Sequence, residues 1–334
     1  MKNKTKMKIK STTKRVILIV VTVLLLLGTI WQYVMVRVER NTYTAVGKFV
    51  DLGSYKAHYY SQGQGNVAFV FITGSGTPCA YTDFYNLQNK LSNIGQTITF
   101  DHAGSGWSEE TESERTIDNL VSELSKLVDN VAPNKPVVLL CHSLGSLEAI
   151  SYAQTFPEKV AGIIFLDSGS PEFYSTNSEL LASILNRGLA CVRTVGINRL
   201  LGTLGLLLPV YGENIRNQKL PDQLKDLDMA MYYQYMGNSD TLNTVKLVNE
   251  NSKKILKGSS LGQIPILVLS SDSGGSEWND VQIQLAAWSK NSKQITISES
   301  DHYLYWSNYD EVETLIEEFM KGLSFITVKD SERQ

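Results

Sequence analysis

The chain has 334 residues, 43% hydrophobic and 19% charged, enough for one large core or a core with a smaller subdomain. Seven of its 31 basic residues and none of its 34 acidic ones lie in the first fifteen positions, so the remaining body carries a net charge of −10. A mildly acidic body argues against nucleic-acid binding, and three scattered cysteines (Cys79, Cys141 and Cys191) offer no disulfide framework.

The basic leader, 1–15, runs into Val16–Val36, 21 residues without a charge. At about 1.5 Å per residue this stretch spans roughly the 30 Å hydrocarbon core of a bilayer. Trp31 and Tyr33 lie near its far end, where interfacial aromatics sit. The expectation is a cytoplasmic tail (1–15), a transmembrane anchor (16–36), a short stalk (37–46) and a body outside the membrane. A cleaved secretory signal is the alternative, but no A-x-A-like site follows the apolar run.

Lys48–Leu52 and Lys56–Ser61, separated by Gly53-Ser54, read as an antiparallel hairpin. The apolar strand 67–72 then opens into Thr73-Gly74-Ser75-Gly76. No G-K-[ST] or G-x-G-x-x-G follows, which leaves a phosphate cradle unsupported. The other use of such a loop is close backbone approach to substrate, with the Ser75 N–H as an oxyanion donor. A helix over Ala80–Leu91, a strand over Gly95–Phe100 and a 3.6-residue apolar period over Arg115–Val131 follow.

Next comes Val137-Val138-Leu139-Leu140-Cys141-His142-Ser143-Leu144-Gly145. A buried strand, a sharp turn and a helix place Ser143 at the apex of a nucleophile elbow, G-x-S-x-G with Cys141 in the first Gly position. The turn lifts the serine oxygen clear of the sheet and aims the Leu144 N–H at developing negative charge. Cys141 is expected to be buried and inert.

The strand Ala161–Leu166 ends at Asp167, and the alternation then breaks. Residues 171–260 offer only helical pieces, at Leu180–Leu189, Thr194–Leu208, Leu220–Met236 and Thr241–Lys254, which makes them a helical cap. Their surplus of leucines (Leu200, Leu201, Leu204, Leu206, Leu207 and Leu208) reads first as packing over the core. A greasy substrate tunnel or a face resting on the membrane are the alternatives. The sheet resumes at 264–269 and 294–298 around a helix over Val281–Trp288. Glu299-Ser300-Asp301-His302 and an amphipathic helix, Asp310–Leu323, follow. Val328–Gln334 read as disordered. The core is therefore assigned to 47–170 and 261–327, a mostly parallel doubly wound α/β sheet with its cap after the sixth strand.

A serine hydroxyl needs an adjacent base. Of the four histidines, His58 lies in an early strand, and His142 occupies the variable position of the elbow and points into the fold. His302, in a loop late in the chain, is the candidate base.

These pieces resemble the α/β-hydrolase superfamily over roughly 47–325, in the branch of esterases, epoxide hydrolases and haloalkane dehalogenases. The matching segments are Ile72–Gly76, the D-x-x-G-x-G-x-S run Asp101–Ser108, Cys141–Gly145, and Asp301-His302 with Tyr309–Val312. Thr73 and Asp301 depart from the pattern, standing where a His and a Gly are usual. The resemblance implies Ser143 as nucleophile, His302 as base, and oxyanion donors at Ser75 and Leu144. The acid that it implies has more than one candidate. Asp167 is the first choice. Asp272 is the alternative, because the later position used by many relatives is Gly274 here, and Glu277 and Asp280 remain behind it. No cofactor or metal motif is visible. The function implied is a membrane-anchored serine hydrolase acting on a small apolar acyl compound, a carboxylic ester or a related amide, lactone or short peptide. Its rival is a non-catalytic binding protein on the same scaffold. Epoxide hydrolysis and dehalogenation need an Asp nucleophile, which position 143 does not supply.

Overall fold

A strand buried on both faces needs apolar residues at every position, and the central strands have them. The computed structural model describes residues 2–207 and 211–323, with side chains from residue 12 onward. The first helix, α1 (Lys2–Thr42), precedes β1 (Lys48–Asp51), β2 (Lys56–Gln62) and β3 (Ala68–Ile72). Short helices α2 (Ala80–Asp83) and α3 (Tyr85–Leu91) lead to β4 (Gln96–Phe100) and α4 (Ile117–Val131). Then come β5 (Val137–His142), α5 (Gly145–Thr155) and β6 (Val160–Leu166).

Between β6 and the next strand lie the helices α6 (Pro171–Tyr174), α7 (Glu179–Thr194), α8 (Ile197–Thr203) and α9 (Glu213–Lys219). After them come α10 (Asp222–Tyr235), α11 (Ser239–Lys246) and α12 (Val248–Leu256). The chain closes with β7 (Ile266–Ser271), α13 (Gly275–Ala286), β8 (Ser292–Ile297), α14 (Leu304–Ser307) and α15 (Tyr309–Lys321).

The eight strands form one sheet in the order β1-β2-β4-β3-β5-β6-β7-β8. The β1–β2 and β2–β4 pairs are antiparallel and the rest parallel. Alternate residues of β3 and β5 enter different cores. Val70 and Leu139 pack with α4 and α5, whereas Phe71 and Leu140 pack with α3, α14 and α15. The chain leaves β3 for β4 on one side and returns as β5 on the other, a reversal that opens a crevice at the carboxyl ends of the strands.

The helices between β6 and β7 are held to the core by a buried knot. Arg216 of α9 ion-pairs with Asp83 of α2 at 2.8 Å, with Asp228 of α10 at 2.9 Å and with Glu213. One guanidinium cannot fully compensate three buried carboxylates. Burial, opposed by Arg216, pushes Glu213 up to about 7 and Asp83 up to about 6.

Several expected elements differ in detail. Residues 37–42, expected as a stalk, continue α1, and Glu39 is buried in an ion pair with Arg199 of α8. The helix expected over Ala80–Leu91 is interrupted at Phe84. The piece expected over Thr194–Leu208 shortens to α8, because Gly196 adopts a left-handed conformation that ends the preceding helix. Helix α9 was not anticipated, and α13 begins at Gly275 rather than Val281. Leu208, residues 324–327 of the expected core and the tail Val328–Gln334 lie outside the described residues.

Candidate active site

The crevice between β3 and β5 is built from its backbone outward. Ser143 follows the last residue of β5 with φ of 50°, in the left-handed region that a residue with a side chain enters only at a cost. The turn is packed too tightly to relax. A Cβ at Gly145 would lie 2.9 Å from the carbonyl oxygens of Ile72 and Thr73. Cys141 is fully buried, and burial pushes its thiol up, so it stays protonated and unreactive.

Asp167, just after β6, also sits in the left-handed region, at φ of 45°. This aims its carboxylate, 1% exposed, at four donors. The Nδ1–H of His302 donates to Oδ2 at 2.6 Å and the Ser271 hydroxyl to the same oxygen at 3.1 Å. The Ser271 N–H and the Trp278 indole donate to Oδ1 at 2.7 and 2.9 Å. With Nδ1 so engaged, Nε2 of His302 is the nitrogen left to serve as a base. Asp272 is occupied elsewhere. Its carboxylate accepts the Glu299 and Ser300 N–H groups at 2.8 and 3.1 Å, which draws it below the usual carboxylate range and ties the histidine loop to β7. Glu277 and Asp280 lie on α13 and make no ion pair with His302 among the described residues.

His142 fills the space behind the base. It is 1% exposed, and its Nε2–H donates to the His302 backbone carbonyl at 3.1 Å. Its ring lies 4.5 Å from that of His302 and 4.7 Å from that of Tyr303. Burial, then the neighbouring His302, hold its pKa well below the ordinary value, so it acts as a neutral strut.

The loop after β3 closes the other side. Gly74 lies against the elbow, where a Cβ would come within 2.9 Å of His142 Nδ1 and 3.0 Å of Ser143 Cβ. Ser75 and Leu144 line one cavity of about 80 Å³ with Gly74 and Gly145. Thr73, in the place where a His was expected, has its hydroxyl 3.1 Å from His102 Nδ1, and His102 Nε2–H donates to Glu148 of α5 at 2.8 Å. The altered loop is thus braced through His102. The other early histidine, His58, has its Nδ1 2.8 Å from Asp101, which also accepts the Ala80 and Trp107 N–H groups.

Three contributors escaped the sequence reading. Trp278 and the Ser271 hydroxyl come to Asp167 from α13 and β7 respectively. Tyr174, at the end of α6, has its hydroxyl near the Ser143 side chain, and burial, opposed by that neighbour, holds the hydroxyl protonated. An Asp, a Trp and a Ser spread over more than a hundred positions carry no local signal.

A sequence profile described as the alpha/beta hydrolase fold matches residues 67–309. The chain belongs to the α/β-hydrolase family. An uncharacterised protein of Bacillus subtilis, YbdG, is 26% identical over 300 residues, covering 87% of this hydrolase and 91% of YbdG. A proline iminopeptidase of Saccharolobus solfataricus is 35% identical over 96 residues, 28% of the hydrolase and 31% of that enzyme. The fold is shared with the Bacillus megaterium epoxide hydrolase, with a TM-score of 0.63 and 16% identity. That match covers 82% of the hydrolase and 100% of the solved chain. A thermophilic esterase from Thermogutta terrifontis matches with a TM-score of 0.59 and 16% identity, over 84% and 99% of the two chains.

Proposed function

We propose that this hydrolase is a membrane-anchored serine hydrolase that cleaves a carboxylic ester, or a related amide, lactone or short peptide, through an acyl-enzyme. The observation that carries the reading is the His302–Asp167 hydrogen bond of 2.6 Å beside an elbow whose apex is Ser143. In the proposed first step Ser143 Oγ bonds to the substrate carbonyl carbon while His302 Nε2 takes the hydroxyl proton. Asp167 steadies the imidazolium that forms. The Leu144 and Ser75 N–H groups hold the oxyanion, each worth about 3 kcal/mol of barrier. The tetrahedral species expels the alcohol or amine, which leaves with the proton from His302. Water, deprotonated by His302, then attacks the acyl carbon and releases the acid and Ser143.

The side chain at 143 favours acyl transfer over epoxide opening, since the latter needs a carboxylate nucleophile. The anchor reading rests on α1, whose segment Thr12–Thr42 is long and apolar enough to cross a membrane and whose hydrophobic window is 6% buried. The basic leader would hold its N-terminus in the cytoplasm and place the hydrolase body outside. The test is labelling of the full chain, in detergent, by a fluorophosphonate probe. The reading expects labelling of wild type and none of Ser143→Ala. A folded wild type that resists the probe would instead favour a non-catalytic binding protein.

A further inference from the structure

Helices α7 and α8 are built inside out. A helix at a protein surface normally buries its apolar stripe and shows its polar one. In α7 the buried residue is Asn186, whereas Leu180, Leu181, Ile184 and Leu185 are each more than half exposed. In α8 the buried residues are Asn198 and Arg199, whereas Leu200 faces outward, followed by Leu204 and Leu206. The two helices meet at a 68° bend, so their exposed leucines belong to one apolar elbow. An apolar face of this kind is costly in water and calls for a partner.

The partner is indicated by α1. A Cβ at Gly28 would collide with the carbonyl oxygen of Val195, and one at Gly196 would lie 2.8 Å from the carbonyl oxygen of Gly28, so α1 touches the elbow backbone to backbone. The contact is locked beyond that point. Gln32 donates to the Tyr233 carbonyl at 2.7 Å and accepts from Arg199 at 2.8 Å, and Arg199 ion-pairs with Glu39. Val16–Leu27 is exposed all round, about 18 Å of helix at 1.5 Å per residue, and beyond it one face of α1 touches the body while Ile30, Tyr33 and Val34 stay exposed. A hydrocarbon core is about 30 Å thick. The missing part of the span falls on residues 28–36, which carry the elbow with them.

We infer that the α7–α8 elbow of the cap is seated in the outer leaflet of the membrane that α1 crosses, with its leucines and isoleucine in lipid. The inference rests on the reading of α1 as a membrane span. Three of the polar groups at this depth are paired, whereas the buried Asn198 amide of α8 has no partner among the described residues. Arg199 and Glu39 neutralise each other, and both ends of the Gln32 amide are satisfied. Exposed Arg187 has the reach to place its charge among headgroups.

The experiment uses the full chain, in a Cys191→Ser background that leaves only the buried Cys79 and Cys141. It is reconstituted in vesicles of phosphatidylethanolamine and phosphatidylglycerol. An environment-sensitive fluorophore is placed singly at Ile184→Cys, at Leu25→Cys within α1, or at Ile283→Cys on the exposed face of α13. Quenching by acyl-chain spin-labelled lipid is then read. The inference expects positions 184 and 25 both to lose on the order of half their emission, and position 283 to lose little. Quenching at 25 but not at 184 would leave the anchor standing and overturn the seated elbow. An unquenched position 184 that cross-links between copies would assign the face to a dimer, and also overturn it. No quenching at 25, with the chain extracted by alkaline carbonate, would remove the anchor reading and the inference together.

Discussion

Asp167→Asn is the substitution whose outcome the geometry specifies most closely. The change keeps the shape of a side chain that is 1% exposed and removes its charge. Oδ1 accepts from the Ser271 N–H and the Trp278 indole, so the asparagine oxygen takes that place and its NH2 takes the place of Oδ2. That NH2 then points at His302 Nδ1, 2.6 Å away in the wild type, where two donors cannot face each other. The imidazole must move its proton to Nε2, the nitrogen that should accept from Ser143. A serine hydrolase with its base in the wrong tautomer loses about 10⁴-fold in kcat, about 5.5 kcal/mol of barrier. The assay is kcat/KM on a short p-nitrophenyl ester, with circular dichroism and thermal melting to show that the variant is folded. Asp272→Asn serves as the comparison, since its carboxylate only ties a loop and should cost less than about threefold in turnover. The reasoning is refuted if folded Asp167→Asn keeps a tenth of the activity, or if Asp272→Asn is the more damaging change.

Three further outcomes are expected. Tyr174→Phe removes a hydroxyl near Ser143 but no proton acceptor, so turnover should fall by about tenfold at most, the worth of one hydrogen bond; a loss like that of Ser143→Ala would give Tyr174 a larger part. His142→Phe orphans the His302 carbonyl and should lower stability by about 1–3 kcal/mol, read as a reduced Tm with weakened turnover. The Glu213 and Asp83 carboxyls have pKa values of about 7 and about 6, raised above their unfolded values by burial. The folded state therefore holds these protons more tightly, and their favourable contribution is complete below about pH 4 and fades as pH rises to about 7. Their contribution should make Tm fall between about pH 4 and 7, and Glu213→Gln should flatten the decline. An equally steep decline in the variant would place the titration elsewhere.

The sheet and the elbow were legible because they are local. Val137–Cys141 is an uninterrupted apolar run, and the small Gly145 just past Ser143 marks the bend. The neighbours of Asp167 were not legible. Asp167 and Asp272 both stand just past strand ends, and the one that meets His302 is decided by the left-handed backbone at 167 and by Trp278, 111 positions later. The polarity of α7 and α8 was hidden for a different reason. A 3.6-residue period is identical whether its apolar stripe faces in or out, and only the placement of Asn186 and Arg199 against the body tells which. Within the expected stalk, Glu39 meets Arg199 across 160 positions, a contact that no local pattern announces. Bracing of the loop after β3 through Thr73, His102 and Glu148 likewise joins three segments that no spacing rule connects.

Acyl transfer by this hydrolase requires a covalent bond to form at the apex of the elbow. Rapid acid quenching of the full chain with a p-nitrophenyl ester, followed by peptide mass analysis, reads it directly. The acyl mass should appear on the peptide carrying Ser143 and be missing in both Ser143→Ala and His302→Ala. Turnover of the ester with no acyl group on Ser143 at any quench time, or with the acyl group on another residue, would contradict the account.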